Sequence, residues 1–290
     1  MSLRALVDVV RNDAAIAAAL ELGGAAAADL VGPHALYPFV AAAMANATPT
    51  GSPVLAVTAT TREAEDLVAS LSSLSDPTLV AEFPSWETLP HERLSPRSDT
   101  VGRRLAVLRR LEHPGSDPGT GPLRVVVAPV RSLLQPIVTG LGELEPVTLK
   151  PGMEIDLAEV GVRLVEAGYE RVDLVERRGQ FAARGGIIDV FPSVEEHPLR
   201  VELWGDTIEE VRYFRAADQR SLEISTHGLW APAVRELPLT KQVRARAREH
   251  AQSYPGLADV FETIAEGIPV EGMESLSPVL ADGLELLFKK

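Results

Sequence analysis

Residues Arg177 to Pro192, with the sequence RRGQFAARGGIIDVFP, decide the fold of the central part of this 290-residue chain. Two short runs of mainly apolar residues flank Gly185 and Gly186, which supply the positive-φ freedom that a tight reversal of the chain needs. The second run, from Ile187 to Phe191, is β-branched and apolar apart from one aspartate, and it ends at Pro192. The pattern predicts two antiparallel strands joined by a turn.

Two further extended runs follow, Leu199 to Trp204 and, after a turn at Gly205, Ile208 to Phe214. Because successive strand residues point to opposite sides, the apolar residues at positions 199, 201 and 203 share one face of the first run. Arg200, Glu202 and Trp204 share the other face. The segment predicts an antiparallel meander with one packed face and an outer face that carries arginines, a carboxylate and aromatic side chains.

Helices and strands alternate before the meander. Helices are predicted over residues 3–22, 38–45, 61–74, 100–111 and 130–138, and strands over residues 27–31, 54–58, 79–83 and 125–128. This alternation is typical of a layered α/β domain with a mostly parallel sheet. A further helix, capped by Asp156, precedes the meander, and two more, over residues 241–253 and 257–265, follow it.

We predict three parts in the chain. Residues 1–139 form an α/β subdomain, residues 140–222 form an inserted α+β domain with the antiparallel sheet, and residues 223–290 form a second α/β segment. The last apolar run, residues 284–290, carries no terminating signal. We therefore expect this last part to be truncated and the chain to come from a longer protein.

The composition excludes several classes of function. The formal charge of −13 and the pI near 5.0 argue against sequence-independent binding of duplex DNA by the whole surface. The absence of cysteine excludes disulfides, thiolate catalysis and thiolate zinc sites. Charged residues interrupt the apolar N-terminal stretches, so we expect no signal peptide and no membrane span, and a cytoplasmic protein.

A phosphate-binding loop in this fold class has the pattern GxxxxGK[ST], in which backbone amides and the lysine hold the phosphates. The corresponding loop here, residues 32–39, reads GPHALYPF and begins with Gly32, Pro33 and His34. It lacks the lysine, the second glycine and the hydroxyl residue, and its two prolines remove amide donors. We therefore expect a degenerate nucleotide-binding fold with no bound cofactor and no catalysis in this segment.

No metal site is expected. The six histidines are scattered without the spacing of metal ligands. Asp189, Glu202 and Asp206 could be imagined as a metal site, but carboxylates on a polar sheet face are more often solvated or paired.

Two other stretches each have two interpretations. The irregular loop around Trp86 is either a recognition loop or a connection pinned to the core by its aromatic residues, and we favour packing. The helix over residues 100–111 carries Arg103, Arg104, Arg109 and Arg110 off its apolar stripe. It could face DNA, but a solvated charged face is the interpretation we favour, given the acidic total.

Several motifs together resemble one family. They are FPSWETLPHE at 83–92 with SP at 95–96 and Asp99, GYERVD at 168–173, RGQF at 178–181, RGGIIDVFP at 184–192, RVELWGD at 200–206 and QRS at 219–221. This set resembles the transcription-repair coupling factors (Mfd), including the module that they share with UvrB. The resemblance spans nearly the whole chain. The degenerate loop at Gly32, and the absence of a long hairpin before the helix at residue 100, resemble the coupling factors rather than UvrB.

The resemblance implies a degenerate helicase-like fold of the P-loop type, doubly wound, in two segments (1a and 1b), with the inserted domain 2 between them. It implies a non-enzymatic adaptor module for nucleotide excision repair, in which domain 2 binds UvrA. In that family the contacts with RNA polymerase and the ATP-driven translocase that moves on duplex DNA lie further downstream. The alternative, from UvrB, is a nucleotide-dependent fragment that remodels DNA or binds damage.

The motifs also imply which residues contact UvrA. Arg184 corresponds to the arginine of F-x-x-R-G, and Arg200 and Glu202 correspond to R-V-E. The weaker candidates, which neighbour the same motifs, are Arg171, Arg178 and Phe181. Where UvrB usually has a further arginine, this chain has Ala182. The sequence offers no buried partner for the charges at 184, 200 and 202, so we expect them to be presented to an external partner.

Overall fold

A computed structural model describes residues 4–21, 29–48, 52–115 and 121–289. The helices are α1 (Arg4–Arg11), α2 (Ala14–Glu21), α3 (Tyr37–Ala47), α4 (Thr61–Leu74), α5 (Ser98–Glu112), α6 (Val130–Leu134), α7 (Leu157–Glu166), α8 (Lys241–Ser253), α9 (Ala258–Ala265) and α10 (Ser277–Leu280). The strands are β1 (Val54–Thr58), β2 (Val80–Glu82), β3 (Val125–Pro129), β4 (Ile137–Val138), β5 (Val147–Leu149), β6 (Glu170–Arg171), β7 (Gln180–Arg184), β8 (Ile187–Val190), β9 (Leu199–Trp204), β10 (Thr207–Phe214), β11 (Ser221–Ile224), β12 (Leu229–Ala231) and β13 (Leu284–Glu285). No described helix has the length and apolar character that crossing a bilayer requires.

The chain divides into two compact units with boundaries after Ser85, Ala106, Gln135 and Leu286, the second of which falls within α5. The first unit comprises Met1–Ser85, Val107–Gln135 and Leu287–Lys290. Its sheet is parallel, in the order β1-β3-β2. The central strand β3 is buried at every position because it has neighbours on both sides. Apolar residues of α3 and α4 cover the sheet, so the predicted α/β architecture is confirmed for this unit.

The second unit comprises Trp86–Ala106 and Pro136–Leu286 and contains the predicted meander. Its six-stranded sheet has the order β11-β10-β9-β8-β7-β6, antiparallel except for the β6–β7 pair. Asp156 caps the N-terminus of helix α7, and its Oδ1 accepts a 2.7 Å hydrogen bond from the Ala158 amide. Val160 and Leu164 of α7 pack into the same core as Ile188 and Val201 of the sheet. The predicted antiparallel meander with one packed face is confirmed.

The remainder of the second unit has its own small core. Phe261 and Ile264 of α9 pack with Val243 and Ala247 of α8 and are almost fully buried. Two short antiparallel pairs, β12 with β5 and β13 with β4, complete this part of the chain. The three-part division predicted from the sequence remains a prediction.

Three predicted elements differ from those observed. The helix predicted over residues 3–22 is broken between α1 and α2, because Asp13 caps α2 by accepting the Ala15 amide at 2.9 Å. Of the strand predicted over residues 27–31, positions 27 and 28 lie outside the described residues, and positions 29–31 are irregular and exposed. The helix predicted over residues 130–138 ends at Leu134, since Pro136 cannot donate the next helical hydrogen bond.

The charged face predicted for α5 is wrong in two positions. The Arg104 side chain is fully buried and pairs with Glu236, which is 2% exposed. Arg110 is also buried and donates hydrogen bonds to the carbonyl oxygens of Thr78 and Gly121. Burial of an arginine is sustained by such charge-assisted hydrogen bonds. The packing interpretation of Trp86 is confirmed, because its side chain is buried and hydrogen-bonded to Glu236.

Candidate docking face on the antiparallel sheet

The six-stranded sheet has one face packed against α7, and we call the opposite side the outer face. Strand pairing shows which side chains share it, because residues directly opposite each other point to the same side. One row across the sheet runs through Ala182, Asp189, Arg200, Arg212 and Ile224. The next row runs through Arg184, Ile187, Glu202 and Glu210. Charged residues of both signs therefore share one surface.

A buried carboxylate lies at the centre of the outer face. Asp189 is 1% exposed, and its two oxygens accept hydrogen bonds of 2.7 and 2.8 Å from Nε and Nη2 of Arg200. Nη2 of Arg184 lies 3.6 Å from Oδ2 of the same carboxylate. The side chain of Arg200 is 18% exposed and that of Arg184 is 57% exposed. One carboxylate thus holds two guanidinium groups, one nearly enclosed and one open to solvent.

An apolar cluster supports this ion pair. Val175, Ala182, Phe191 and Phe214 are buried together on the outer side of the sheet. The guanidinium carbon of Arg200 lies 4.7 Å from the centre of the Phe214 ring, a cation–π distance. The hydrogen bonds that Arg200 donates to Asp189 raise its pKa above the ordinary value, and Glu202 adds a smaller contribution. Arg200 is therefore fixed and permanently charged.

Glu202 differs from its charged neighbours. Its side chain is half-buried, and within the described part of the chain it forms no hydrogen bond and no ion pair. Beside it, Glu210 binds Arg212 on the same strand, which lowers the pKa of Glu210 and raises that of Arg212. The carboxylate of Glu202 is thus left with unused acceptor positions at the surface.

The outer face also exposes apolar side chains. Trp204, at the end of β9, is 82% exposed, and Ile224 and Ile187 are 54% and 37% exposed. Trp204 follows Glu202 by two positions and therefore lies on the same side of β9. Tryptophan is enriched among the residues that contribute most to binding in protein interfaces.

The predicted contact residues do not all lie on this face. Arg184, Arg200 and Glu202 are brought together as the motifs implied. The expectation that their charges lack a partner in the chain is wrong for Arg200 and Arg184, because Asp189 pairs with both. Phe181 is 1% exposed and packs in the core on the other side of the sheet, so it supports the fold instead of offering contact surface.

Neither of the two remaining arginines, Arg171 and Arg178, belongs to the two rows of the outer face. Arg171 is exposed on β6 and stands in register with Phe181, so its side chain points to the α7 side of the sheet and away from the outer face. Arg178 precedes β7; its Nε donates a 2.9 Å hydrogen bond to the Glu195 carbonyl, and its guanidinium stacks 5.3 Å from the Phe191 ring. Arg178 also lines a polar cleft of about 660 Å³, with Ser98 and Arg235 among its other walls.

The loop at residues 32–39 does not follow a described strand. Gly32 and Pro33 are irregular and His34 begins a short 3-10 turn, and no strand precedes them within the described residues 29–31. The first described strand is β1, and the chain runs from its carboxyl end into α4. There the amide of Glu63 is bound by Thr60 Oγ1 and the amide of Ala59 by the Glu63 carboxylate. These amides at the start of α4 are therefore satisfied by the chain itself.

Asp189 is the residue whose role the sequence did not reveal. Its sequence context resembles that of the acidic residues Glu202 and Asp206, but among the described residues no group of three or more histidine, cysteine, aspartate or glutamate side chains could hold a metal ion. The sequence feature that could have indicated this role is a single aspartate in a strand whose other residues are apolar. Such a carboxylate must be paired when the strand is central in a sheet.

Comparisons with known proteins confirm the resemblance. A family model described as the UvrB interaction domain matches residues 147–234, which include the whole six-stranded sheet. The chain is 52% identical over 268 residues to the transcription-repair-coupling factor of Mycobacterium tuberculosis, covering 89% of this chain and 21% of that protein. The factor of Bacillus subtilis is 34% identical over 210 residues (72% and 17%), and that of Escherichia coli 28% identical over 232 residues (78% and 19%). The chain thus spans about a fifth of the length of these relatives.

Proposed function

We propose that this chain, which is related to the transcription-repair-coupling factors, is a non-enzymatic docking module whose outer face binds UvrA. The observation that carries the proposal is the outer face itself, with an exposed Arg184 and, near an exposed Trp204, a Glu202 carboxylate that accepts no hydrogen bond from the described residues. This face lies within the segment that matches the UvrB interaction domain. UvrA is the partner that the resemblance to UvrB implies.

The chemistry of the face suits a protein partner. The paired arginines and the free carboxylate offer donors and acceptors close together, so a partner needs charges of both signs in a matching arrangement. Such complementarity provides specificity and faster association. Trp204 adds a large apolar area that costs little conformational entropy when it is buried, because it has two side-chain torsions. Duplex DNA would not match Glu202 and Glu210, which would face its phosphates.

In the cell, the module would bring UvrA to the rest of a longer coupling factor. Contacts with RNA polymerase and ATP-driven movement on duplex DNA would belong to other parts of such a protein, outside this chain. The module would then serve transcription-coupled nucleotide excision repair as an adaptor. The degenerate helicase-like layering of the first unit is part of the same proposal.

The alternative, a nucleotide-dependent fragment of UvrB type, has less support. A nucleotide triphosphate needs several free amides and a lysine at its phosphates. At the start of α4 the amides of Ala59 and Glu63 are bound by side chains, and residues 32–39 contain no lysine.

The test is a calorimetric titration of the chain with purified UvrA, paired with a titration with Mg-ATP. We expect saturable binding of UvrA and no saturable heat from Mg-ATP at micromolar concentrations. Absence of UvrA binding at tens of micromolar would overturn the docking function. Saturable binding of Mg-ATP would favour the alternative.

A further inference from the structure

We propose that Asp189 is a positioning residue of the docking face: its buried carboxylate holds Arg184 and Arg200 in the arrangement that the partner recognises. This inference rests on the proposed function, since it concerns the same face. It also identifies the partner's chemistry at one point, because the guanidinium held at the surface forms its strongest hydrogen bonds with a carboxylate.

The geometry separates the two arginines by role. Both oxygens of Asp189 are engaged by Arg200, at 2.7 and 2.8 Å, in a bidentate pair that fixes the guanidinium plane. Arg184 reaches the same carboxylate only at 3.6 Å, beyond hydrogen-bond length, and through one nitrogen. A guanidinium has five N–H donors, so most donors of Arg184 remain directed to solvent.

Asp189 also sets the local charge. The group formed by Asp189, Arg184 and Arg200 carries one net positive charge, and Glu202, Glu210 and Arg212 bring the total over the two rows to zero. Arg184 is the exposed member, with 57% of its side chain accessible against 18% for Arg200. An acidic group of the partner would therefore bind at Arg184, while Arg200 provides the rigid support behind it.

Pre-positioning has a physical advantage. A free arginine side chain loses rotamer freedom when it is fixed at an interface, and this loss opposes binding. Attraction to Asp189 restricts Arg184 before the partner arrives. Asp189 itself, at 1% exposure, cannot touch a partner, so its effect on binding must pass through the arginines.

The experiment is a double-mutant cycle. UvrA binding is measured for the natural chain, Asp189→Asn, Arg184→Ala and the combined variant, with melting temperatures of all four. Asp189→Asn keeps the shape of the side chain but removes its charge. We expect each single change to weaken binding about tenfold and the combined change to weaken it little further, because interacting residues are not additive. If Asp189 only supported the fold, the fold-losses in UvrA affinity of the two single variants would multiply in the combined variant.

A second variant keeps the test valid if Asp189→Asn does not fold. Arg200→Lys preserves the charge that neutralises Asp189 but gives up the bidentate geometry. We expect weaker UvrA binding with an almost unchanged melting temperature. Unchanged affinity of Arg200→Lys, or multiplied losses in the cycle, would overturn the positioning role while leaving UvrA docking intact.

Failure of the proposed function has a different signature. If the natural chain does not bind UvrA at all, docking and the use assigned to Asp189 are both overturned. Arg163→Ala is the matched control, because it removes an exposed arginine from α7, on the opposite side of the sheet. It should bind as the natural chain does; an equal loss in this control would mean that total charge, and not the arrangement around Asp189, determines binding.

Discussion

The indole Nε1 of Trp86 donates a 3.0 Å hydrogen bond to Oε1 of Glu236, 150 positions later in the chain. The same carboxylate receives the guanidinium of Arg104, with Nη2 at 3.2 Å from Oε2. Trp86 is 8% exposed, Glu236 2% and Arg104 0%. The guanidinium carbon also lies 5.7 Å from the centre of the Trp86 ring. A buried carboxylate therefore joins residues 86–106 to the segment that follows the six-stranded sheet.

Loss of this carboxylate should destabilise the chain strongly. Glu236→Ala leaves the buried guanidinium of Arg104 without its ion pair, a change that typically costs about 3–5 kcal/mol of the free energy of unfolding. Urea unfolding followed by circular dichroism measures the change. Glu249→Ala, which removes an exposed glutamate from α8, is the control and should be nearly neutral.

The cost should come from leaving the buried guanidinium of Arg104 without the Glu236 carboxylate, and not from any net stabilisation by the pair itself. The combined variant Arg104→Met with Glu236→Leu removes both charges and should regain most of the stability. If Glu236→Ala unfolds at the same urea concentration as the natural chain, the ion pair does not contribute to stability.

Removal of either surface charge should weaken UvrA binding without unfolding the sheet. Truncation of one partner of a desolvated charge pair costs roughly 2–5 kcal/mol of binding free energy, so Arg184→Ala and Glu202→Ala should each bind at least tenfold more weakly. Their melting temperatures should hardly change, because Arg184 is mostly exposed and Glu202 forms no hydrogen bond or ion pair within the described chain. Binding titrations and thermal melts separate the two effects. Natural affinity in both variants would place the interface elsewhere.

Phe181 should affect stability and not recognition. It is 1% exposed in the core between α7 and the sheet, and Phe→Ala changes in such positions cost about 3–5 kcal/mol. Phe181→Ala should therefore unfold at markedly lower urea concentration. The fraction that remains folded at low temperature should bind UvrA with natural affinity. A loss of UvrA binding larger than partial unfolding can explain would mean that Phe181 contacts UvrA.

The carboxyl group of Glu195 should make stability depend on pH. Burial raises the pKa of Glu195 above its ordinary value of 4.5, although Tyr213 and His227 partly oppose the shift. Between the ordinary and the raised pKa the folded chain binds more protons than the unfolded chain, so stability falls as pH rises through this interval. Above the raised pKa, the charged carboxyl group lowers the free energy of unfolding by its full amount, which no longer changes with pH.

Glu195→Gln removes that penalty. The variant should therefore melt at a higher temperature than the natural chain at neutral pH, and the difference should shrink as the pH falls to 4.5 and below. Thermal melts at a series of pH values measure it. A difference that is the same at every pH would show that the charge of Glu195 is not the cause.

Strand alternation allowed much of the candidate site to be predicted. The sequence places Arg200, Glu202 and Trp204 on one side of β9 because side-chain direction alternates with a period of two, a purely local property. The glycine turn at 185–186 is local in the same way, and Gly185 has the positive φ that it requires. The helices α4 and α8 were also predictable, since Thr60 and Thr240 cap them within their own first turn.

The partners of the charges could not be predicted. Asp189 and Arg200 stand opposite each other only because β8 and β9 pair in one register, and a shift of one residue would turn these side chains to opposite faces. The burial of Arg104 likewise depends on Glu236, 132 positions away. The sequence by itself determined which residues share a face of each strand, because backbone geometry fixes that locally. Only the tertiary structure decided which charges are paired and which remain free for a partner, because pairing depends on contacts between distant segments.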